Sequence, residues 1–263
     1  MSTIRLDKYL SDAGVGTRSQ VKSYIRKGLV TVNGYIVKQP ELKINTGQDI
    51  ITFKNDVIAL SDFDYYILNK PAGYVSATRD NLAPTVLSLL DTNRKDLFPV
   101  GRLDKDTEGL LLISNDGTLA HRLLSPRSHV DKTYYAVLDG CVTESDVILF
   151  ASGVEIGDED LDTAMPARLE ILASPLKLIS SYYNENVPLN DSLGYVMITI
   201  QEGKYHQVKR MFQSINRKVL YLRRMSFGPI TLSDELAPGQ YRRLSDEEIA
   251  RLLSARHFND LKC

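Results

Sequence analysis

The pattern of apolar and polar residues divides the chain into a short N-terminal part and a longer second part. In the short part, apolar side chains recur at helical spacing in two segments that each end at a glycine, and Thr17 stands where it can cap the second helix. Residues 29–37 then carry β-forming side chains around Asn33-Gly34, the pair typical of a two-residue hairpin turn. A further strand over residues 50–53 completes a predicted small unit of helices and strands.

The second part predicts strands separated by short helices. Strands are predicted over residues 65–70, 110–113, 132–138, 165–172, 195–200, 219–222 and 230–232, and helices over 84–90, 118–124, 143–151, around 208–212 and from 245. Residues 55–63 have no clear period and are interpreted as a linker, and residues 174–192, with scattered Pro, Asn and Ser, as an extended hairpin or an insertion. Residues 110–113 are apolar at every position, which predicts a strand buried on both faces. The polar loop before this strand is therefore expected at the mouth of a sheet.

Composition limits the class of protein. The 263 residues suffice for one sizeable domain and a small one, and 43% hydrophobic with 25% charged residues is typical of a soluble globular protein. No apolar stretch approaches the roughly 18 residues that a membrane span needs, and the first residues lack a signal-peptide pattern. Cys141 and Cys263 form neither a disulfide framework nor a zinc motif, and the histidines show no metal-ligand spacing. We therefore expect a cytoplasmic protein without a metal.

Charge is unevenly distributed along the chain. The formal net charge is −1, but residues 1–60 carry nine Lys and Arg against five Asp and Glu, a net +4, which leaves −5 for the remainder. Residues 1–60, the head, are thus basic, whereas the remainder is mildly acidic. This difference indicates a polyanion partner for the head. Arg18, Lys22 and Arg26 recur at helical spacing on the second predicted helix, although a basic helix face alone is most often only solvated surface.

The first candidate for chemistry is the loop before the buried strand. It contains Gly-Arg-Leu-Asp at residues 101–104, and the neighbouring charges of Arg102 and Lys105 favour the ionised form of Asp104. This arrangement suits a nucleophilic or basic carboxylate. An Asp in a glycine-bounded loop is, however, most often a turn former or a helix cap.

The second candidate follows the strand over 195–200. Glu202-Gly203 leads into a helix, and residues 204–224 hold seven basic residues and no acid. A solvated surface normally mixes the two signs of charge, so this run favours a polyanion-binding cleft.

These motifs resemble those of a known enzyme family. Gly-Arg-Leu-Asp, two variable residues, Thr, one variable residue and Gly-Leu-Leu-Leu, from residue 101, is similar to the signature motif of the pseudouridine synthases, and Asn-Lys-Pro from residue 69 is similar to the start of their catalytic domains. Residues 3–54, with Arg-Leu-Asp-Lys-x-Leu, a Thr-Arg-Ser helix start and Gly-Leu-Val-Thr-Val-Asn-Gly, resemble the S4 RNA-binding domain. Residues 202–212, with Tyr-His after Glu-Gly-Lys, are similar to the RsuA-type synthases of small-subunit ribosomal RNA.

The resemblance implies an α+β protein. A small S4 domain of αL type is expected over residues 1–60, with a linker over about 55–63. A catalytic domain over 64–255, on a mixed, mainly antiparallel β-sheet with flanking helices, and a tail over 256–263 complete the expectation. The implied function is isomerisation of uridine to pseudouridine in small-subunit (16S) ribosomal RNA.

Three alternatives stay open at this point. A synthase of large-subunit (23S) ribosomal RNA shares the chemistry, and a non-catalytic S4-type RNA-binding or ribosome-assembly factor would use the head alone. Asp104, Tyr134 and Lys209 stand at positions that the family uses for catalysis. A binding factor has no need of all three, so their joint presence argues against it. A carboxylate-dependent hydrolase lacks a second catalytic carboxylate, since Asp106 and Glu108 are interpreted as polar groups of the loop.

The resemblance also implies residue roles. Asp104 is the catalytic carboxylate, Tyr134 stacks on the uracil and assists proton transfer, and Lys209 keeps Asp104 ionised. In the superfamily the position of Lys209 is an arginine, so we expect a single-point ion pair to Asp104, with Arg210 as the less favoured partner. The expected substrate-binding residues are Arg102, Lys132, Lys204, His206, Gln207 and Arg210, and the expected RNA-binding residues of the S4 domain are Arg5, Lys8, Arg18, Lys22, Arg26 and Lys27.

The expected partner is ribosomal RNA, as free or partly assembled small subunit, bound by a monomer away from any membrane. Isomerisation adds and removes no atoms, so no cofactor is expected.

Overall fold

The computed structural model describes residues 3–58, 63–92, 94–157, 162–177, 180–187 and 192–254. The predicted tail over 256–263 lies outside these ranges. The chain divides by its internal contacts into an N-terminal unit up to Phe63, to which Asn115–Gly117 are also assigned, and a larger unit formed by the remainder from Asp64.

The N-terminal unit combines two helices with short strands. Its elements are β1 (Thr3–Arg5), α1 (Leu6–Asp12), α2 (Arg18–Arg26), β2 (Val30–Val32), β3 (Tyr35–Ile36), β4 (Lys43–Asn45), β5 (Ile51–Phe53) and β6 (Asp56–Ile58). β1 pairs with β4, and β3-β2-β5-β6 form a second sheet. Thr17 caps α2 through a capping box with Gln20, as the helix-start signal predicts. Asn33 and Gly34 both have positive φ, at 52° and 84°, which is the turn that their pairing predicts.

The predicted linker over 55–63 is wrong in its first part. Asp56–Ile58 forms β6, which pairs with β5. The turn between them is made by Lys54 and Asn55 with φ of 52° and 75°. Lys-Asn is a weaker signal for such a turn than Asn-Gly, so the sequence pattern does not predict this second hairpin.

The larger unit is built on one sheet. Its elements are β7 (Tyr65–Lys70), a 3₁₀ turn (Val86–Leu89), β8 (Phe98–Val100), β9 (Glu108–Ser114), α3 (Gly117–Leu124), a 3₁₀ turn (Pro126–Ser128), β10 (Lys132–Leu138), α4 (Glu144–Ser152), β11 (Arg168–Ile171), α5 (Ser181–Asn186), β12 (Gly194–Ile200), α6 (Gln207–Gln213), β13 (Val219–Phe227), β14 (Ile230–Thr231), β15 (Tyr241–Arg243) and α7 (Asp246–Ser254). The strand order is β11-β12-β10-β13-β9-β7-β15, with β14 on β13 and β8 on β9. The described pairs are antiparallel except β13 with β9, so the expected mixed, mainly antiparallel sheet is confirmed.

The parallel pairing of β9 with β13 joins the two candidate segments, because the loop of Asp104 leads into β9 and the basic run over residues 204–224 extends into β13. Every residue of β9 is buried, as its apolar run predicts. Gly109 has φ of 101° and lies against Arg224 so closely that a Cβ there would be 2.3 Å from the Arg224 carbonyl oxygen. Only glycine fits this close approach of two backbones.

Two further predictions are corrected. Glu108, interpreted as a polar group of the loop, is the first residue of β9 and is buried. Its Oε2 accepts hydrogen bonds from Tyr221 Oη at 2.6 Å and Ser180 Oγ at 2.7 Å, which offsets the cost of burying a carboxylate. Ser180 also caps α5 by accepting from the backbone N–H of Tyr183, so a short helix occupies part of the segment interpreted as a hairpin or an insertion.

The last described helix is fastened by an ion pair. Arg242 donates to both oxygens of Glu248, each at 2.7 Å. This hydrogen bonding holds the pKa of Glu248 at about 2, well below its ordinary value.

Among the described residues there is no helix long and apolar enough to cross a membrane, and no group of three His, Cys, Asp or Glu side chains that could hold a metal ion.

Candidate active site

The loop that carries Asp104 is held from below by backbone hydrogen bonds. The Thr107 N–H donates to the Asp104 carbonyl at 3.1 Å, which closes a tight turn. Ser76 Oγ donates to the Leu103 carbonyl at 2.9 Å and lies 3.0 Å from the Leu103 N–H. The Asp104 side chain stays 29% exposed. The loop thus has a fixed backbone and an accessible carboxylate.

A buried lysine completes the support of this loop. Lys70 has no exposed surface, and its Nζ donates to the carbonyls of Thr107 at 2.8 Å, Pro71 at 3.1 Å and Lys105 at 3.2 Å. Burial lowers the pKa of Lys70 to about 8, although the nearby carboxylates of Asp106 and Glu108 oppose the shift. The sequence marks Lys70 only as part of an Asn-Lys-Pro motif, because two of its three acceptors, Lys105 and Thr107, lie 35 and 37 residues farther along the chain.

Lys209 projects from α6 toward two carboxylates. Its Nζ lies 3.3 Å from Asp104 Oδ2, so the expected ion pair is present. The shorter contacts go to Asp106, at 2.7 Å and 2.9 Å from its two oxygens. Burial lowers the pKa of Lys209, but Asp106 and then Asp104 outweigh burial and raise it above its ordinary value. Lys209 therefore stays a cation, and Asp106 is its main partner rather than an uninvolved polar group of the loop.

Tyr134 forms a wall of the site. It lies on β10 between β12 and β13, and the pairing of β10 with β13 shifts register between Thr133 and Tyr134. Such a bulge re-aims the side chains beside it. Tyr134 is buried and, with Asp104, lines both a small pocket and an adjoining open cavity of about 980 Å³. A cavity of this size is large enough for an extruded nucleotide.

Tyr205 and His206 stand at the start of α6. The two rings are stacked, with centroids 3.8 Å apart and 21° between their planes. His206 Nε2 lies 3.6 Å from Asp104 Oδ1, and His206 has left-handed backbone angles, with φ of 48°. His206 and Lys209 thus approach different oxygens of the Asp104 carboxylate, His206 at Oδ1 and Lys209 at Oδ2.

The remaining predicted substrate-binding residues of this segment are engaged in the protein. Lys204 lines the cavity, but its Nζ lies 2.5 Å from Asp162 Oδ1. Gln207 is buried and donates to Glu202 Oε1 at 2.7 Å. Arg210 lies outside both cavity linings, with its guanidinium 3.6 Å from Asp162. Arg210 therefore has an acidic partner outside the basic run, and its contact with substrate stays a prediction.

Arg102 and Lys132 lie on the wall of the open cavity, but in different environments. Arg102 is exposed. Lys132 is buried, and its Nζ donates to the carbonyls of Val130 at 2.9 Å and Gln201 at 3.3 Å. Burial, and then the charge of Arg224, lower the pKa of Lys132 to about 8. Arg102 is thus free to meet a ligand, whereas Lys132 mainly joins two loops.

The six predicted RNA-binding residues of the N-terminal unit fall into two groups. Arg5 donates to Asp7 at 2.8 Å and 3.0 Å, and Lys8 pairs with Asp12 at 3.4 Å. The second group lies on and just after α2, and all but Lys22 are exposed. Within the described part of the chain, no side-chain hydrogen bond or ion pair involves Arg18, Lys22, Arg26 or Lys27. The α2 group is therefore the part of this surface that is available to phosphates.

Comparison with known proteins identifies the class. Residues 64–214 match the family model described as RNA pseudouridylate synthase, and residues 4–50 match the S4 domain. The uncharacterized RNA pseudouridine synthase YtzG of Bacillus subtilis (strain 168) is 40% identical, over 94% of this chain and 97% of that protein. The ribosomal small subunit pseudouridine synthase A of Escherichia coli (strain K12) is 39% identical, over 95% of this chain and 100% of that protein.

A solved structure agrees with this assignment. The crystal structure of a pseudouridylate synthase superposes with a TM-score of 0.63 at 36% identity, over 95% of this chain and 99% of that one. The fold is that of a pseudouridine synthase with an N-terminal S4 domain. The chain belongs to the RNA pseudouridylate synthase family, as the resemblance of its motifs predicts.

Proposed function

We propose that this chain isomerises a specific uridine of small-subunit ribosomal RNA to pseudouridine. The arrangement that carries the proposal is the accessible carboxylate of Asp104, with the Lys209 cation 3.3 Å away, at the edge of a cavity walled by Tyr134. The small-subunit target is supported by the relatives named ribosomal small subunit pseudouridine synthase A, at 39–40% identity.

The chemistry we propose breaks the N1–C1′ bond of uridine and joins C1′ to C5. C5 then loses its proton and N1 gains one, so the atoms balance without a cofactor. The target base is stacked in folded RNA and has to be extruded to enter the cavity. Asp104 acts as an ionised carboxylate, either by attacking the ribose carbon or by removing a sugar proton.

We assign supporting roles to three neighbours. Lys209 places a positive charge 3.3 Å from Asp104 Oδ2 and so holds the carboxylate in position. Tyr134 lies against the uracil and assists proton transfer. Arg102, exposed on the cavity wall, contacts the phosphate of the extruded nucleotide.

The N-terminal unit is proposed to anchor the RNA. The α2 residues Arg18, Lys22, Arg26 and Lys27 present unpaired charge to phosphates, which suits recognition of structured RNA by shape. The boundaries near residues 60 and 64, the monomeric state, the cytoplasmic location and the choice between free RNA and a partly assembled subunit stay predictions.

Pseudouridine mapping of ribosomal RNA tests the proposal. Cells that lack the gene would be complemented with wild type, Asp104→Asn or Asp234→Asn, the last changing an exposed aspartate of the same unit. Loss of one small-subunit pseudouridine, restored by wild type and Asp234→Asn but not by Asp104→Asn, is the expected result. A large-subunit loss would move the target and keep the chemistry. No lost site, or full rescue by Asp104→Asn, would refute the assignment and favour a binding factor.

A further inference from the structure

Tyr205 is an exposed aromatic ring at the rim of the active-site cavity. Its side chain is 74% exposed, so it contributes little to the core. One face of the ring is covered by the His206 ring, with centroids 3.8 Å apart. The opposite face is open to solvent. The ring therefore has a fixed orientation and one free π surface.

The backbone around Tyr205 is held in place. The Tyr205 carbonyl accepts a hydrogen bond from Arg210 Nη1 at 3.4 Å, and the side chain of Gln207 accepts one from the Lys204 N–H at 3.0 Å. His206 adopts left-handed backbone angles, which cost a non-glycine residue free energy. Strain of this kind persists where the surrounding contacts enforce it, and it concentrates at functional sites. The backbone that carries the two stacked rings is therefore held in one conformation by the surrounding contacts.

The position of the stack indicates its ligand. His206 Nε2 lies 3.6 Å from Asp104 Oδ1, and Tyr205, stacked on His206, lines the open cavity together with Asp104. Arg102, exposed on the same cavity wall, favours a polyanion there. Extruding a uridine leaves its neighbours in the strand without their stacking partner. An exposed aromatic ring at stacking distance from a second ring can replace that partner, because every base has a π face.

We propose that Tyr205 is a stacking platform for an unpaired nucleobase that flanks the modified uridine. The proposal rests on the proposed function for the identity of the RNA. It extends that function by assigning the free ring face to the recognition of the strand beside the target. Neither the carboxylate nor its cation takes part in this contact.

Kinetics of substitutions at Tyr205 test the platform. Tyr205→Leu keeps an apolar side chain but removes the ring, whereas Tyr205→Phe keeps the ring. Loss of a base–aromatic stack typically weakens binding by about 5- to 100-fold. We expect Tyr205→Leu to raise KM by this factor with a smaller change in the single-turnover rate at saturating RNA, and Tyr205→Phe to match wild type. Ile148→Ala, which removes exposed apolar surface on α4, serves as the matched control.

A binding measurement separates this proposal from the proposed function. 2-Aminopurine would replace, one at a time, the nucleotides on either side of the uridine located by mapping, in an RNA bound to Asp104→Asn protein. The platform is supported if the Asp104→Asn protein quenches the 2-aminopurine fluorescence at either position and the Asp104→Asn/Tyr205→Leu protein does not. Unchanged quenching at both positions, or an unchanged KM for Tyr205→Leu, would overturn it even if wild type makes pseudouridine. If wild type makes none, the proposed function fails. 2-Aminopurine placed in single-stranded ribosomal RNA fragments then tests the platform by itself, and equal quenching by the Asp104→Asn and Asp104→Asn/Tyr205→Leu proteins would overturn it.

Discussion

The buried Lys70 is expected to make the stability of the larger unit increase with pH. Its ordinary pKa of 10.5 applies to the unfolded chain, and burial lowers the pKa to about 8 in the folded protein. Below pH 8 both states carry the proton, so the full cost of the buried charge is present. Between pH 8 and 10.5 the unfolded state binds more protons than the folded state, and the free energy of unfolding increases with pH. For Lys70 alone this gain between pH 7 and 9.5 is about 2 kcal/mol.

Other groups set the design of the test. Lys132, with its pKa also lowered to about 8, adds a gain of the same sign, so wild type should gain more than Lys70 alone supplies. Burial raises the pKa of Tyr135 and of Tyr221, and these groups reduce stability only when the unfolded tyrosines ionise near pH 10. An upper limit of pH 9.5 therefore keeps the lysine signal separate.

The assay is denaturant unfolding followed by far-UV circular dichroism at pH 7 and pH 9.5. Lys70→Met leaves three carbonyls without their donor, so its absolute stability changes for more than one reason. The difference between the two pH values isolates the titration. That difference should be about 2 kcal/mol smaller in Lys70→Met than in wild type, and unchanged in Lys218→Met, a substitution of an exposed lysine. An equal gain in wild type and Lys70→Met would refute the argument.

Three further predictions follow from the site and the sheet. Gly109→Ala, which puts a Cβ 2.3 Å from a carbonyl oxygen of β13, should lower the free energy of unfolding by at least about 2 kcal/mol, and an unchanged melting temperature would contradict this. Lys209→Met should lower the single-turnover rate by about 10- to 100-fold, and Asp106→Asn by less, because Lys209 keeps Asp104 as a partner; the reverse order would contradict the assigned contacts. Glu248, with its pKa lowered to about 2, contributes stability above pH 4.5 that is lost as pH falls toward 2, so thermal melts at pH 7 and 3.5 should differ less for Glu248→Gln than for wild type.

The sequence predicts the components of the site better than their pairing. Asp104, Tyr134 and Lys209 stand in motifs, and the structure brings all three to the small pocket. Sequence spacing does not reveal that Lys209 is closer to Asp106 than to Asp104, because two carboxylates two residues apart differ only in how the turn directs them. The role of Lys70 was missed for a related reason: its acceptors are backbone carbonyls, which any residue supplies.

The fold was predicted where hydrophobic patterns are long. β7, β10 and β12 follow clear alternation or apolar runs, and their bounds agree closely with the predicted ones. β6 and α5 are short, and each depends on local hydrogen bonding at a turn or a cap rather than on a repeating pattern. Burial of Glu108 was also hidden, since its partners lie 72 and 113 residues farther along the chain.

The strand order has a consequence for the enzyme during its own synthesis. The N-terminal unit has all its described strands within residues 3–58, so it can fold while the rest of the chain is still being made. The loop of Asp104 leads into β9, whose neighbour β13 ends at residue 227, and β7 receives its outer neighbour only with residues 241–243. We therefore expect the N-terminal unit, with its proposed RNA-binding surface, to form before the catalytic site. The sheet around the Asp104 loop is completed only after residue 243 has been made, so we expect catalytic competence late in translation.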